Sequence, residues 1–196
     1  MDRRLRIGVL VEGVVVPEWV RWAVAAIDGM PECELAAVVV AQCPAAGQAA
    51  PAARRAAYRA YGWLDARVFG EPAALRSAPL GPLAERRAAV AQLDVVVSFV
   101  AAGRTSWDGP PPRQGVWTIV PMDDGAAGST ASRFWELAAA GGTAEVCVAT
   151  LENGAAHPLV RAAVRTDPLS LARTRDAAAW ASARLVVRSL RRLHRD

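Results

Sequence analysis

The sequence predicts an α/β protein built on an open, mostly parallel twisted sheet, with a C-terminal hairpin strand and a long closing helix. Two observations predict this class. Short runs rich in β-branched apolar residues alternate with segments whose apolar residues recur at helical spacing. Near the C-terminus, the turn signal Asn153-Gly154 separates two runs that can pair antiparallel, and a long amphipathic segment follows them.

Length and composition indicate a globular chain that is expected to form one domain over residues 1–196. Of its residues, 53% are hydrophobic and 21% are charged, which excludes an extended disordered chain. All 23 basic residues are arginine, and the formal net charge is +4. This charge would suit an acidic partner, but it is also what a solvated arginine-rich surface produces.

Cysteine usage and the N-terminus favour a cytoplasmic protein without a membrane segment. Cys33, Cys43 and Cys147 are odd in number and lack metal-ligand spacing, and Cys147 is expected in the core. The start of the chain is superficially like a signal peptide. Glu12 and Pro17 interrupt its apolar run, so we interpret it as a first core strand. No apolar run reaches the roughly 18–20 residues that a membrane span needs.

The first part of the chain predicts a strand, a crossover helix and a second strand. The strand covers Leu5–Val11, and a helix begins after Pro17 and ends at Gly29, with an apolar stripe that includes Trp19. A second strand covers Leu35–Ala41. This order implies a right-handed crossover between parallel strands.

The middle of the chain predicts one helix, one central strand and several loops. Arg54–Phe69 is expected to be a helix with a break near Gly62, packing its aromatic side chains on the sheet while its arginines stay in solvent. Stacking of these aromatics on nucleic acid is the alternative. The remaining assignments are a loop over Gln42–Ala53, an irregular Pro72–Pro82, a short helix over Leu83–Gln92, a central strand over Asp94–Val100 and a loop over Ala101–Gln114.

The last part predicts strands at Gly115–Val120, Thr143–Leu151 and Leu159–Val164. A helix over Ala131–Ala140 separates the first two of these strands. The closing helix covers Ser170–His194, where seven arginines are expected to surround an apolar stripe.

A candidate site occupies Gly115–Leu137, where a strand leads into a glycine-rich loop and then a helix. Open α/β sheets bind ligands in the crevice beyond the carboxyl ends of such strands. On the loop, Asp123 and Asp124 are candidate catalytic residues, as a general base or a cation ligand. A solvated Asx turn is the alternative interpretation. The candidate cofactor-binding residues, where an anionic group could meet the start of the helix, are Gly125, Gly128, Ser129 and Arg133.

Histidine is missing from this loop. The two histidines, His157 and His194, are expected at the surface, in a turn and in the terminal helix. The sequence therefore predicts no Ser-His-Asp arrangement, no Cys-His pair and no metal site.

The order of these elements resembles the formyltransferase fold, a Rossmann-like fold. Its enzymes formylate glycinamide ribonucleotide, methionyl-tRNA and some sugar nucleotides with 10-formyltetrahydrofolate. A similar bacterial branch carries G-V-W-S-x-H-H-G-D and later G-G-P-x-G-F-W-E. G-V-W-T-I-V-P-M-D and S-T-A-S-R-F-W-E stand at these places, and both Tyr58–Phe69 and T-D-P-L-S-L-A-R-T-R also look like that branch.

The resemblance implies where an asparagine, a histidine and an aspartate would act. The asparagine position is Thr118, the histidine position is Val120, and the aspartate position is Glu152 or Asn153. In the family's reaction an amine attacks the formyl carbon, and donors stabilise the oxyanion while protons move. Valine cannot exchange a proton and threonine offers one hydroxyl, so the resemblance implies a divergent member without the usual set.

These residues are compatible with three functions. The first is a remodelled or inactive formyltransferase-like protein that binds a ligand or serves as a partner subunit in a bacterial biosynthetic pathway. The second is an active formyl or acyl transferase that uses 10-formyltetrahydrofolate or another donor with a non-standard site, since proximity alone supplies much of a rate. The third is an arginine-rich interaction module. Nucleic acid is not expected as a partner; a small molecule, a partner protein or an oligomer remains open.

Overall fold

A computed structural model describes residues 3–41, 52–85, 92–100, 105–121, 143–152 and 155–195. The strands in these ranges are β1 (Leu5–Val11), β2 (Val15–Pro17), β3 (Cys33–Val40), β4 (Ser77–Pro79), β5 (Val95–Ser98), β6 (Val116–Pro121), β7 (Thr143–Glu152) and β8 (Ala155–Arg165). The helices are α1 (Glu18–Asp28), α2 (Ala52–Phe69) and α3 (Leu171–Arg195), with 3₁₀ turns at Ala73–Leu75 and Gly81–Glu85.

Six of the strands form one sheet in the order β3-β1-β5-β6-β7-β8. The neighbours from β3 to β6 pair in parallel, while β6–β7 and β7–β8 pair antiparallel. Five of the six strands therefore run in one direction, with β7 reversed. The predicted fold class is confirmed, including the interior position of β5 and the C-terminal hairpin.

The two faces of the sheet carry different cores. On one face Val9 of β1 packs with Val24 of α1 and Val186 of α3. The other face has a smaller cluster that includes Leu10 and Val96. Burial on both faces explains why β1 and β5 are nearly continuous apolar runs, as parallel strands beneath two layers require.

Three local predictions are corrected by the structure. The helix α2 continues through Gly62 without a break, although an interior glycine lowers helix stability. The aromatic side chains of α2 were predicted to pack on the sheet, and for Trp63 and Tyr61 this is wrong. The helix α2 packs against α3, Trp63 is 64% exposed, and the Tyr61 hydroxyl donates to the Leu169 carbonyl at 3.2 Å. The Pro72–Pro82 stretch is not wholly irregular, because β4 pairs antiparallel with β2.

Other predicted segments lie outside the described residues. These are residues 42–51, 86–91, 101–104 and 122–142, which include the predicted helix Ala131–Ala140. None of the helices in the described ranges is long and apolar enough to cross a membrane.

The start of the closing helix α3 is held by a carboxylate from α2. The Ala172 N–H donates to Asp65 Oδ2 at 2.5 Å, across 107 positions of sequence, and the Arg173 N–H donates to Ser170 Oγ at 3.1 Å. Asp65 is 4% exposed. The first N–H groups of a helix have no partner within the helix, and its N-terminus favours negative charge. Asp65 thus serves as a helix cap supplied by another element.

Replacing Asp65 with alanine is expected to lower the free energy of unfolding by about 1–2 kcal/mol, because the Ala172 N–H loses its acceptor. Asp65→Asn keeps an oxygen acceptor and is the matched control, with a smaller loss expected. Urea denaturation followed by far-UV circular dichroism measures both. Equal losses for the two variants would contradict the capping role.

The two described cysteines are both buried. Cys147 is 2% exposed, which confirms its predicted place in the core, and Cys33 is 3% exposed. Burial, reinforced by the negative charge of Glu32, raises the pKa of the Cys33 thiol to about 11, against an opposing effect of Arg191. The thiol is therefore protonated at neutral pH, and thiols react as thiolates.

Cys33 is expected to react with iodoacetamide about two orders of magnitude more slowly in the folded protein than in denaturant at pH 8.5, because its thiolate fraction is lower. Peptide mapping by mass spectrometry measures the labelling, with the denatured chain as control. A pKa raised by folding also means that stability is retained below the ordinary thiol pKa near 9 and declines as pH rises towards 11. Rapid labelling of Cys33 in the folded chain would rule out this environment.

Candidate functional site

The carboxyl ends of β1, β5 and β6 meet at one edge of the sheet, because the three strands are parallel neighbours. Beyond this edge the chain turns at residues 12–14, leaves β5 at Phe99, and leaves β6 after Pro121. Crevices of this kind are the usual ligand sites of open α/β sheets. The side chains at these strand ends therefore form the candidate site.

A pair of hydroxyl groups closes the end of β5. Ser98 is fully buried, and its Oγ lies 3.0 Å from Thr105 Oγ1. The Val100 N–H donates to Ser98 Oγ at 3.2 Å, and the Thr105 hydroxyl donates to the Val100 carbonyl at 3.2 Å. These bonds fix the turn that leaves β5. In the sequence, Ser98 was visible as the polar residue within an otherwise apolar strand, but its pairing with Thr105 was not predicted.

Thr118 lies beside this pair on β6. It is the in-register partner of Ser98, so the two side chains lie on the same face of the sheet. Thr118 is 1% exposed, and its Oγ1 has no hydrogen-bond partner in the described part of the chain. An unsatisfied buried hydroxyl costs free energy and calls for an explanation.

Two residues further along β6, Val120 pairs in register with Cys147 of β7. Cys147 is buried, and a valine side chain carries no polar atom. The strand position at which the resemblance implies a histidine therefore has no proton donor or acceptor in its side chain.

An aromatic pair lines the same edge on the opposite face. Trp19 is the second residue of α1, and Phe99 directly follows the last residue of β5. Their ring centroids lie 5.5 Å apart, and the ring planes meet at 70°. Both side chains are half-buried and pack against the larger core. Sequence periodicity assigned Trp19 to the apolar stripe of its helix and did not reveal its contact with Phe99.

A carboxylate next to this pair is already engaged. Glu18 forms an ion pair with Arg21, and the hydrogen bond from Arg21 holds the pKa of Glu18 below its ordinary value. Glu18 is therefore ionised near neutral pH and paired. A paired carboxylate of lowered pKa is poorly matched to general base chemistry at that pH.

The structure does not bring Glu152 to Thr118. Thr118 pairs with Ala149, and Glu152 lies three residues further along β7, which corresponds to about 10 Å. Alternation also places Glu152 on the opposite face from Ala149. Glu152 thus ends β7 beside the amino end of β6, away from the carboxyl-end crevice.

The other candidate residues lie outside the described residues, and their roles stay predictions. They are Asp123, Asp124, Gly125, Gly128, Ser129, Arg133 and Asn153. His157 is exposed, as predicted, but it lies within β8 opposite Thr150 and not in a turn. Within the described ranges, no group of three or more histidine, cysteine or acidic residues is arranged to hold a metal ion.

The fold is similar to that of a solved enzyme structure. It is similar to glycinamide ribonucleotide transformylase 1 from Geobacillus kaustophilus, with 16% identity, a TM-score of 0.53, and coverage of 97% of this chain and 99% of that chain. The chain has a formyltransferase-like fold. No protein-family model matches the sequence, and no curated protein matches it. At this identity the similarity supports the fold that the sequence resemblance implied, and it leaves the chemistry open.

Thr118→Val removes the unpartnered hydroxyl while keeping the side-chain shape, so the free energy of unfolding is expected to stay unchanged or to rise by up to about 1 kcal/mol. Ser98→Ala is the matched comparison. It removes hydrogen bonds that the structure shows, and a loss of about 1–2 kcal/mol is expected. Urea denaturation measures both. A loss for Thr118→Val as large as that for Ser98→Ala would mean that the Thr118 hydroxyl has a partner.

Proposed function

We propose that this protein is a remodelled formyltransferase-like protein that binds a ligand at the carboxyl-end crevice without the usual acid-base set. One observation carries the proposal. On β6 the positions of the asparagine and the histidine hold Thr118, whose buried hydroxyl has no partner, and Val120, which pairs with buried Cys147. In this proposal β6 corresponds to the strand that carries the catalytic side chains in such a fold, with most of those polar side chains replaced.

The aromatic side chains at the edge suit a planar ring. Trp19 and Phe99 offer aromatic surface on one face of the sheet, and Thr118 on the other face holds a buried hydroxyl that has no partner in the described residues. Apolar walls with a few placed polar groups are typical of small-molecule sites. A folate fits this description, and 10-formyltetrahydrofolate supplies a formyl group when bound. In this proposal the aromatic pair contacts the ring.

In this proposal the protein binds a ligand without transferring a formyl group, because formyl transfer needs proton-exchanging groups as well as binding contacts. The amine that attacks a formyl carbon must lose a proton, and the developing oxyanion needs donors. Val120 supplies neither, and Thr118 supplies at most one donor. We therefore propose a ligand-binding or partner role in a bacterial biosynthetic pathway, in the cytoplasm. Formyl transfer by this chain would require groups from elsewhere, with Asp123 and Asp124 as the first candidates.

Titration with 5-formyltetrahydrofolate by calorimetry tests the donor crevice. Binding of micromolar strength is expected, and Trp19→Leu is expected to weaken it at least tenfold, because it removes half of the aromatic pair. Trp22→Leu, three residues along the same helix, is the matched control and should leave folate binding unchanged. No binding at millimolar folate would overturn the folate assignment.

An assay of the same purified protein tests whether it transfers a formyl group. Incubation with 10-formyltetrahydrofolate and a panel of amine acceptors is expected to give no formylated product above the background without protein. Product that disappears with Asp123→Ala and Asp124→Ala would replace the binding role with an active transferase that uses a non-standard site.

A further inference from the structure

Four arginines form a row along the exposed side of α3. At about 100° per residue, Arg184, Arg188, Arg191 and Arg195 fall within a sector of about 60°, and Arg173 falls in the same sector three turns earlier. All five side chains are exposed. Five of the seven arginines that were expected to surround the apolar stripe thus share one sector. Arg175 lies on the opposite side of the helix, and Arg192 lies about 40° beyond the edge of the sector. We call the first four residues the arginine row.

The arginine row is a linear array of positive charge. With a rise of about 1.5 Å per residue, its members follow one another at about 6, 4.5 and 6 Å, and the row spans about 16 Å. Within the described part of the chain, none of the four forms an ion pair. A nucleic acid strand in duplex geometry presents about five phosphates over that length, at about 3.4 Å each.

An aromatic pair adjoins the row. Trp180 precedes Arg184 by one turn of α3, and it meets Trp22 of α1 edge to face, with centroids 6.0 Å apart and planes at 87°. Trp22 is 37% exposed, so part of its ring is accessible. Proteins that bind single strands combine a row of positive charge, which follows the backbone, with aromatic rings on which bases stack.

The opposite side of α3 limits the class of partner. Leu185, Val186 and Leu190 are buried in the core between the helix and the sheet. A basic helix that binds a membrane surface inserts an apolar face into the headgroup region, and α3 has already buried that face. An acidic protein could neutralise the row, but it would make no use of the exposed Trp22 ring as a stacking surface.

We propose that the arginine row together with Trp22 and Trp180 is a binding surface for single-stranded nucleic acid. The row contacts consecutive phosphates, and a base stacks on the exposed ring of Trp22. The surface lies on the outer side of α1 and α3, and the proposal does not depend on folate binding at the carboxyl-end crevice.

Fluorescence anisotropy with a labelled 20-nucleotide single-stranded DNA tests this surface. Neutralisation of four phosphates predicts that affinity falls about 50-fold between 50 and 200 mM NaCl. The variant Arg184→Gln/Arg188→Gln/Arg195→Gln is expected to lose most of this affinity and of the salt dependence. Arg191 is retained because its charge acts on buried Cys33. The matched control is Arg76→Gln/Arg161→Gln/Arg165→Gln, which removes the same charge from exposed positions elsewhere and should bind as the parent does.

Trp22→Leu separates stacking from charge. It is expected to weaken single-strand binding about tenfold without changing the salt dependence, while Trp19→Leu leaves binding unchanged. Circular dichroism confirms that each variant is folded. No binding at 50 mM NaCl, or equal losses in the row and control variants, would overturn the proposal. Row-dependent binding of polyglutamate or phosphatidylserine vesicles that is as tight as that of the DNA would also overturn it, by assigning the surface to another polyanion.

Discussion

The packing of α3 on the sheet is the interaction on which the rest of the structure depends. This helix contacts α1, α2, β7 and β8, so it joins the parallel and antiparallel halves of the sheet through one apolar face. Leu190 and Val186 are fully buried in that contact. The first N–H groups of the helix are satisfied by Asp65 of α2 and by the preceding Ser170. Burial of the apolar face leaves the arginine row on the solvent side.

The crevice depends on a second constraint, the parallel order of β1, β5 and β6. Parallel strands deliver their last residues to one edge, so Ser98 and Thr118 meet on one face of the sheet although the chain separates them. The backbone of β6 is paired on both sides, with β5 and with β7. The Thr118 hydroxyl can therefore be satisfied only from above its own face. Within the described residues, no group reaches the Thr118 hydroxyl from that side.

The sequence predicted the elements more completely than the contacts between them. Apolar runs located β1, β5, β6 and β7, because strands buried on both faces leave a continuous signal. The break expected at Gly62 was wrong because packing of α2 on α3 outweighs the weak helix propensity of one glycine. The cap from Asp65 and the contact of Trp19 with Phe99 join positions far apart in sequence, and no local pattern encodes such a pairing. The arginine row was present in the spacing but was not recognised.

The fold and the acid-base chemistry place different demands on β6, so a chain can keep the fold while it loses the chemistry. The fold requires residues on β6 that pair with Cys147 and Ala149 of β7, and valine and threonine, which favour strands, meet that requirement. Acid-base chemistry requires particular atoms at particular points, and a single substitution removes it. A TM-score of 0.53 at 16% identity fits a chain in which the first demand is met. Thr118 and valine at position 120 meet the first demand without supplying a proton-exchanging side chain, and for that reason we propose ligand binding ahead of catalysis.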